Sequence, residues 1–121
     1  MVIINAKIVL VDRVIDNGFV VIETGLIKAV KEGKYAGNDD VFDAEGKVLM
    51  PGFIDVHVHG SCGIDFMDAN VEDYKTISQS MYEEGVTTFL ATTLTSGIEA
   101  MLKVARTVKE ARKCTLSATG R

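Results

Sequence analysis

At 121 residues, with 47% apolar and 25% charged residues, the chain has the length and composition of one ordinary globular domain. The formal net charge is −4 and the 13 Lys and Arg are scattered rather than clustered, which argues against a nucleic-acid partner. Two cysteines are too few for a disulfide framework, no apolar run is long enough to span a membrane, and no export signal is recognisable, so the composition points to the cytoplasm.

The first fifty residues favour strands. Met1 to Val11 is apolar but interrupted by Asn5 and Lys7, and reads as a strand entering a sheet. Short β-branched runs at Val2 to Ile4, Lys7 to Val11, Gly18 to Glu23 and Leu26 to Val30 are predicted strands. Turns are predicted at Asp12-Arg13, Asp16-Asn17-Gly18 and Thr24-Gly25. Gly33 to Asp40 is a predicted surface loop, and Val41 to Asp43 and Lys47 to Met50 are short strands separated by Glu45-Gly46. Together these make a small antiparallel β unit.

The pattern changes at Pro51-Gly52. Phe53 to Val58 is a compact strand signal, followed by a glycine-containing loop from Gly60 through Gly63. Asn70 with Asp73 has the spacing of a capping box, Tyr74, Ile77 and Met81 follow at helical spacing, and Gly85 is a stop. Val86 to Ala91 is the next strand. Ser96 with Glu99 suggests a second capping box, with an apolar stripe of Met101, Leu102, Ala105 and Val108 reaching to about Ala111. This strand–helix–strand–helix order is that of a parallel sheet covered by helices. A third strand is expected near Thr115, and two such units do not close a barrel, which needs about 250 residues.

The sharpest chemical signal is Asp55-Val56-His57-Val58-His59. Residues two apart on a strand share a face, so Asp55, His57 and His59 point one way, and Ile54, Val56 and Val58 point the other, toward helices. His57 and His59 are the only histidines. At this spacing two imidazoles can converge on one metal, because Zn²⁺ takes N ligands at about 2 Å. The competing reading is a pair of surface histidines adjacent by accident. Asp55 either orients a ligand histidine or is satisfied within a polar interior. Asp65 and Asp68 suit loop solvation or capping better than catalysis. Thr92, Thr93 and Thr95 can line a cleft or serve as turn residues. Cys62 lies close to the histidines, but nothing orients a base for a Cys-His nucleophile. No phosphate-binding glycine loop with a following Lys-Ser/Thr is present.

The run Leu49-Met50-Pro51-Gly52-Phe53-Ile54-Asp55-Val56-His57-Val58-His59-Gly60 resembles the signature of the amidohydrolase superfamily. Two further runs look like its N-acetylglucosamine-6-phosphate deacetylase family: Gly63-Ile64-Asp65-Phe66-Met67-Asp68, and Glu84-Gly85-Val86-Thr87-Thr88-Phe89-Leu90-Ala91-Thr92-Thr93-Leu94-Thr95-Ser96. The resemblance implies an α/β chain. Residues 1–50 would be part of a small β-sandwich domain. Residues 51–121 would open a metal-dependent (β/α)8 barrel through its first two βα units, truncated before closure. It also implies that His57 and His59 are metal ligands for a divalent ion, zinc or alternatively iron, and that the intact enzyme removes acetate from an N-acetylated amino-sugar phosphate. Another amidohydrolase activity, on a cyclic amide or as an aminohydrolase, is the alternative. The family's later ligands, a glutamate after the third strand and two histidines, and its acid/base aspartate have no counterpart here. The run Thr115-Leu116-Ser117-Ala118-Thr119-Gly120-Arg121 carries neither acid nor histidine. The chain alone is therefore expected to be inactive, and its open strand edges and apolar faces imply a homo-oligomer.

Overall fold

A computed structural model describes the backbone of residues 1–118 and the side chains of residues 1–113. The chain divides into two units, Met1–Pro51 and Gly52–Arg121.

In the first unit, β1 (Val2–Val9), β2 (Val14–Glu23) and β3 (Leu26–Glu32) form an antiparallel meander. β1 is continuous where two strands were expected. Asn5, at φ 54°, takes up an extra residue as a bulge between Ile3 and Ala6, and its amide holds the Asp43 carboxylate at 3.0 Å. Asp16, Asn17 and Gly18 do not turn the chain but lie within β2, next to a second register shift. A Cβ on Gly18 would crowd the Lys31 carbonyl oxygen at 2.7 Å, so glycine is needed for close approach rather than for a turn. Thr24 and Gly25 form the expected two-residue turn, both with positive φ (50° and 79°), as a tight hairpin requires.

The expectation of a wholly antiparallel unit is corrected. β4 (Val41–Asp43) and β5 (Val48–Leu49) both pair with β1 in parallel, giving a mixed sheet of order β3-β2-β1-β4. The long Gly33–Asp40 connection returns the chain to the free edge of β1 in the same direction, and the Val2 amide donates to the Asp40 carbonyl at 2.8 Å. Ala6, Ile8, Ile15, Val20 and Ala44 form the core of this unit.

The second unit contains β6 (Phe53–Val58), β7 (Gly60–Ser61), β8 (Ile64–Asp65), α1 (Asp73–Glu83), β9 (Val86–Ala91) and α2 (Ile98–Ala118). β6 and β9 are parallel neighbours connected through α1, so the two expected βα units are present. The expected glycine loop after His59 is a miniature hairpin of β7 and β8 turned by Cys62 and Gly63, both at positive φ. The capping box of α1 forms: Asn70 Oδ1 accepts from the Glu72 and Asp73 amides, and Asp73 Oδ2 accepts from the Asn70 amide at 2.8 Å. Gly85, at φ 87°, ends the helix as expected.

The second helix departs from expectation. Among the described residues no hydrogen bond joins Ser96 and Glu99. The first turn instead hangs from the Gly97 carbonyl, which accepts from the Ala100 and Met101 amides. The inward seam is Val104, Val108 and Ala111, whereas Leu102 and Ala105 are exposed. Helix α2 runs on through Ala118 rather than stopping near Ala111, so residues 115–118 are helical where a third strand was expected. Thr119, Gly120 and Arg121 of that expectation lie outside the described residues.

Phe66 and Ile77, both fully buried, centre the core with Tyr74, Met81 and Val104. The Phe66 ring stacks on Tyr74 at 5.2 Å and on Phe89 at 5.8 Å. The helices cover β9 and the carboxyl end of β6, where Val58 packs. Ile54 and Val56 were expected beneath helices too, but remain 66% and 67% exposed. No helix among the described residues is long and apolar enough to cross a membrane.

Candidate metal centre

The carboxyl ends of two adjacent parallel strands converge at His59. β6 carries His57 within it and His59 just past its end, on a shared side as strand alternation requires. Their Nε2 atoms lie 3.2 Å apart, with ring planes at 75°. Thr92, just past β9, meets this end of β6 twice. Its amide donates to the Val58 carbonyl at 2.9 Å, and its carbonyl lies 3.0 Å from His59 Nδ1. His57 is exposed and His59 half-buried, so the pair is open to solvent on one side.

The spacing fits a shared cation. Two nitrogens 3.2 Å apart, each about 2.05 Å from one ion, subtend an angle of about 100°, close to the tetrahedral value preferred by zinc. Both are borderline-soft neutral donors suited to zinc or iron. Two ligands do not complete a coordination shell, and among the described residues no group of three or more His, Cys, Asp or Glu side chains is placed to hold an ion.

The other candidates take structural places. Asp55 Oδ1 accepts the His57 backbone amide at 3.0 Å, so this carboxylate shapes the strand carrying the histidines, and among the described residues no hydrogen bond joins it to their rings. Asp65 Oδ1 accepts the Met67 amide at 2.8 Å, and its carbonyl accepts the Asp68 and Ala69 amides, as a capping role requires. Cys62 is exposed on the β7–β8 turn, its sulfur 3.9 Å from the Ser61 hydroxyl. Gly60 turns the chain sharply after His59: its φ is 154°, and a Cβ there would collide with the Ile64 carbonyl. Thr92 was singled out for its hydroxyl, but that group bonds the Leu90 carbonyl at 3.1 Å and it is the backbone carbonyl that reaches the site. Only its position, one residue past the neighbouring parallel strand, hinted at this. Among the described residues no hydrogen bond brings Thr93 or Thr95 to the histidines.

The amidohydrolase family model matches residues 48–118. The N-acetylglucosamine-6-phosphate deacetylase of Bacillus subtilis is 38% identical over 117 residues, covering 93% of this chain and 30% of that protein. The deacetylase of Lysinibacillus sphaericus is 40% identical over 75 residues, covering 62% of this chain and 19% of that protein. Among solved structures, N-acetylglucosamine-6-phosphate deacetylase from Pasteurella multocida superposes with a TM-score of 0.82 at 25% identity, over 93% of this chain and 30% of its own. The chain thus spans less than a third of the length of these relatives.

Proposed function

Because this chain belongs to the amidohydrolase family, we propose that it supplies the first-strand half of a metal centre in an N-acetylglucosamine-6-phosphate deacetylase, with His57 and His59 as ligands. The observation that carries this reading is the convergence of the two Nε2 atoms at a separation suited to one ion. In this proposal residues 1–50 belong to a β-sandwich domain and residues 51–121 to the opening of the barrel, and the protein works in the cytoplasm as a homo-oligomer.

A divalent ion, zinc or iron, would supply Lewis-acid polarisation of the acetamide carbonyl and activation of water. The chain's own contribution is positional. β6 presents both imidazoles at the strand's carboxyl end, where barrel enzymes assemble their sites. Asp55 fixes the backbone amide of His57, and Gly60, at positive φ, starts the β7–β8 hairpin directly after His59. The acid/base carboxylate and the remaining ligands have no counterpart among these residues, so the 121-residue chain by itself releases no acetate.

The test is acetate release by the complete product of the gene encoding this chain. It should hydrolyse N-acetylglucosamine 6-phosphate to glucosamine 6-phosphate in preference to cyclic amides and aminopurines. The reverse ranking would refute the deacetylase reading and favour another amidohydrolase activity.

A further inference from the structure

The two histidines are not equivalent, and the difference lies in where each ring keeps its proton. His59 Nδ1 sits 3.0 Å from the Thr92 carbonyl oxygen, which can only accept, so the neutral ring must carry its hydrogen on Nδ1. That leaves Nε2 of His59 as a bare lone pair. His57 Nε2 lies 3.2 Å from that lone pair, and two unprotonated nitrogens would repel at this distance. The contact is a hydrogen bond only if His57 carries its hydrogen on Nε2.

We propose that the Thr92 carbonyl is a positioning group for the metal pair, presetting His59 in the ligand tautomer while His57 rests in the opposite one, its Nε2–H holding the place of the ion. The proposal rests on the reading of His57 and His59 as ligands. The carbonyl is itself held in place, because the Thr92 amide donates to the Val58 carbonyl at 2.9 Å, one residue before His59. The chain of groups is closed: Thr92 N–H to Val58, His59 Nδ1–H to Thr92, His57 Nε2–H to His59. When a divalent ion takes both Nε2 lone pairs, His59 keeps its proton where it is. His57 gives up its Nε2 proton to solvent and takes one on Nδ1, with no net change in protonation. The second strand thus sets half of the first strand's ligand pair before any ion arrives, in the way that outer groups orient metal-bound imidazoles.

Long-range ¹H–¹⁵N correlation spectra of the imidazole rings read the tautomers directly in the 121-residue chain, at mildly alkaline pH where imidazole is ordinarily neutral. In the absence of metal, His59 should show protonated Nδ1 and bare Nε2, and His57 the reverse. In His57→Ala, which alters only an exposed side chain, His59 should keep its pattern, because Thr92 rather than His57 sets it. In the unsubstituted chain, excess zinc should switch the His57 tautomer and shift the Nε2 resonances of both rings, while His59 stays protonated on Nδ1. A His59 ring protonated on Nε2, an averaged tautomer, or loss of the pattern in His57→Ala would each overturn the proposal. Its failure separates from that of the parent reading. Zinc shifting both rings despite a mixed His59 tautomer sinks only the Thr92 role, whereas a fixed tautomer with no zinc response at either ring sinks the ligand assignment.

Discussion

Replacing Phe66 by alanine should remove a large share of the stability of the unit that carries the histidines. The ring is fully buried and stacked on both Tyr74 and Phe89. Truncating a core Phe to Ala costs about 3–5 kcal/mol, and each aromatic pair contributes about 0.5–1.5 kcal/mol beyond its buried area. With two pairs lost, the upper part of that range, about 4–5 kcal/mol, is expected. A unit of roughly 70 residues is worth about 4–10 kcal/mol in total, so the change removes about 40% of it or more. The Phe66 amide also donates to the His59 carbonyl at 2.8 Å, so loosening this residue loosens the strand end that bears the site. With no tryptophan present, the assay is urea unfolding followed by helical circular dichroism, paired with amide hydrogen exchange in α1. A loss below about 1.5 kcal/mol, or unchanged protection of the α1 amides, would refute the placement of Phe66 at the core's centre.

Among the described residues the buried Tyr74 hydroxyl has no hydrogen-bond partner, and burial raises its pKa, so Tyr74→Phe should stabilise the chain by about 1 kcal/mol in urea unfolding rather than weaken it. Because the folded pKa lies above the ordinary value of 10.0, this group's contribution is intact below pH 10 and is lost as pH rises through the folded value; Tyr74→Phe should flatten that alkaline decline, and an unchanged slope would contradict it. Asn70→Ala removes the acceptor for the first amides of α1 and should cost about 1 kcal/mol by the same measurement. Gly60→Ala drives a Cβ into the Ile64 carbonyl at a strained φ and should cost about 1–3 kcal/mol, with faster amide exchange at Phe66; a neutral result would disprove the tight turn.

The elements whose logic is local were legible in the sequence. The Asn70–Asp73 box, the Gly85 stop, the Thr24-Gly25 hairpin and the shared face of His57 and His59 depend on neighbours within a few residues. What was not legible depends on partners far along the chain. β4 and β5 pair in parallel because a free edge of β1 is available to them, which no short run of residues announces. The stripe of α2 was misread through Leu102 and Ala105 because apolar residues occur on more than one side of the helix, and only packing into the core around Phe66 and Ile77 selects Val104 and Ala111. Ile54 and Val56 follow the same strand alternation as Val58, yet alternation gives a face and not its cover. The Thr92 carbonyl was hidden for a different reason: a backbone group has no residue-type signature, and only strand adjacency brings it to His59.

Zinc titration of the chain, monitored at the imidazole resonances, tests most directly whether His57 and His59 form half of a metal centre. A full set of structural zinc ligands supplies about 10–16 kcal/mol, so half a set, at about 5–8 kcal/mol, should give a dissociation constant of roughly 1 μM to 0.2 mM. The account predicts that both rings respond together along one weak isotherm, and that His57→Ala abolishes the response of His59. Micromolar or tighter binding that survives His57→Ala, or a response at only one ring, would contradict it.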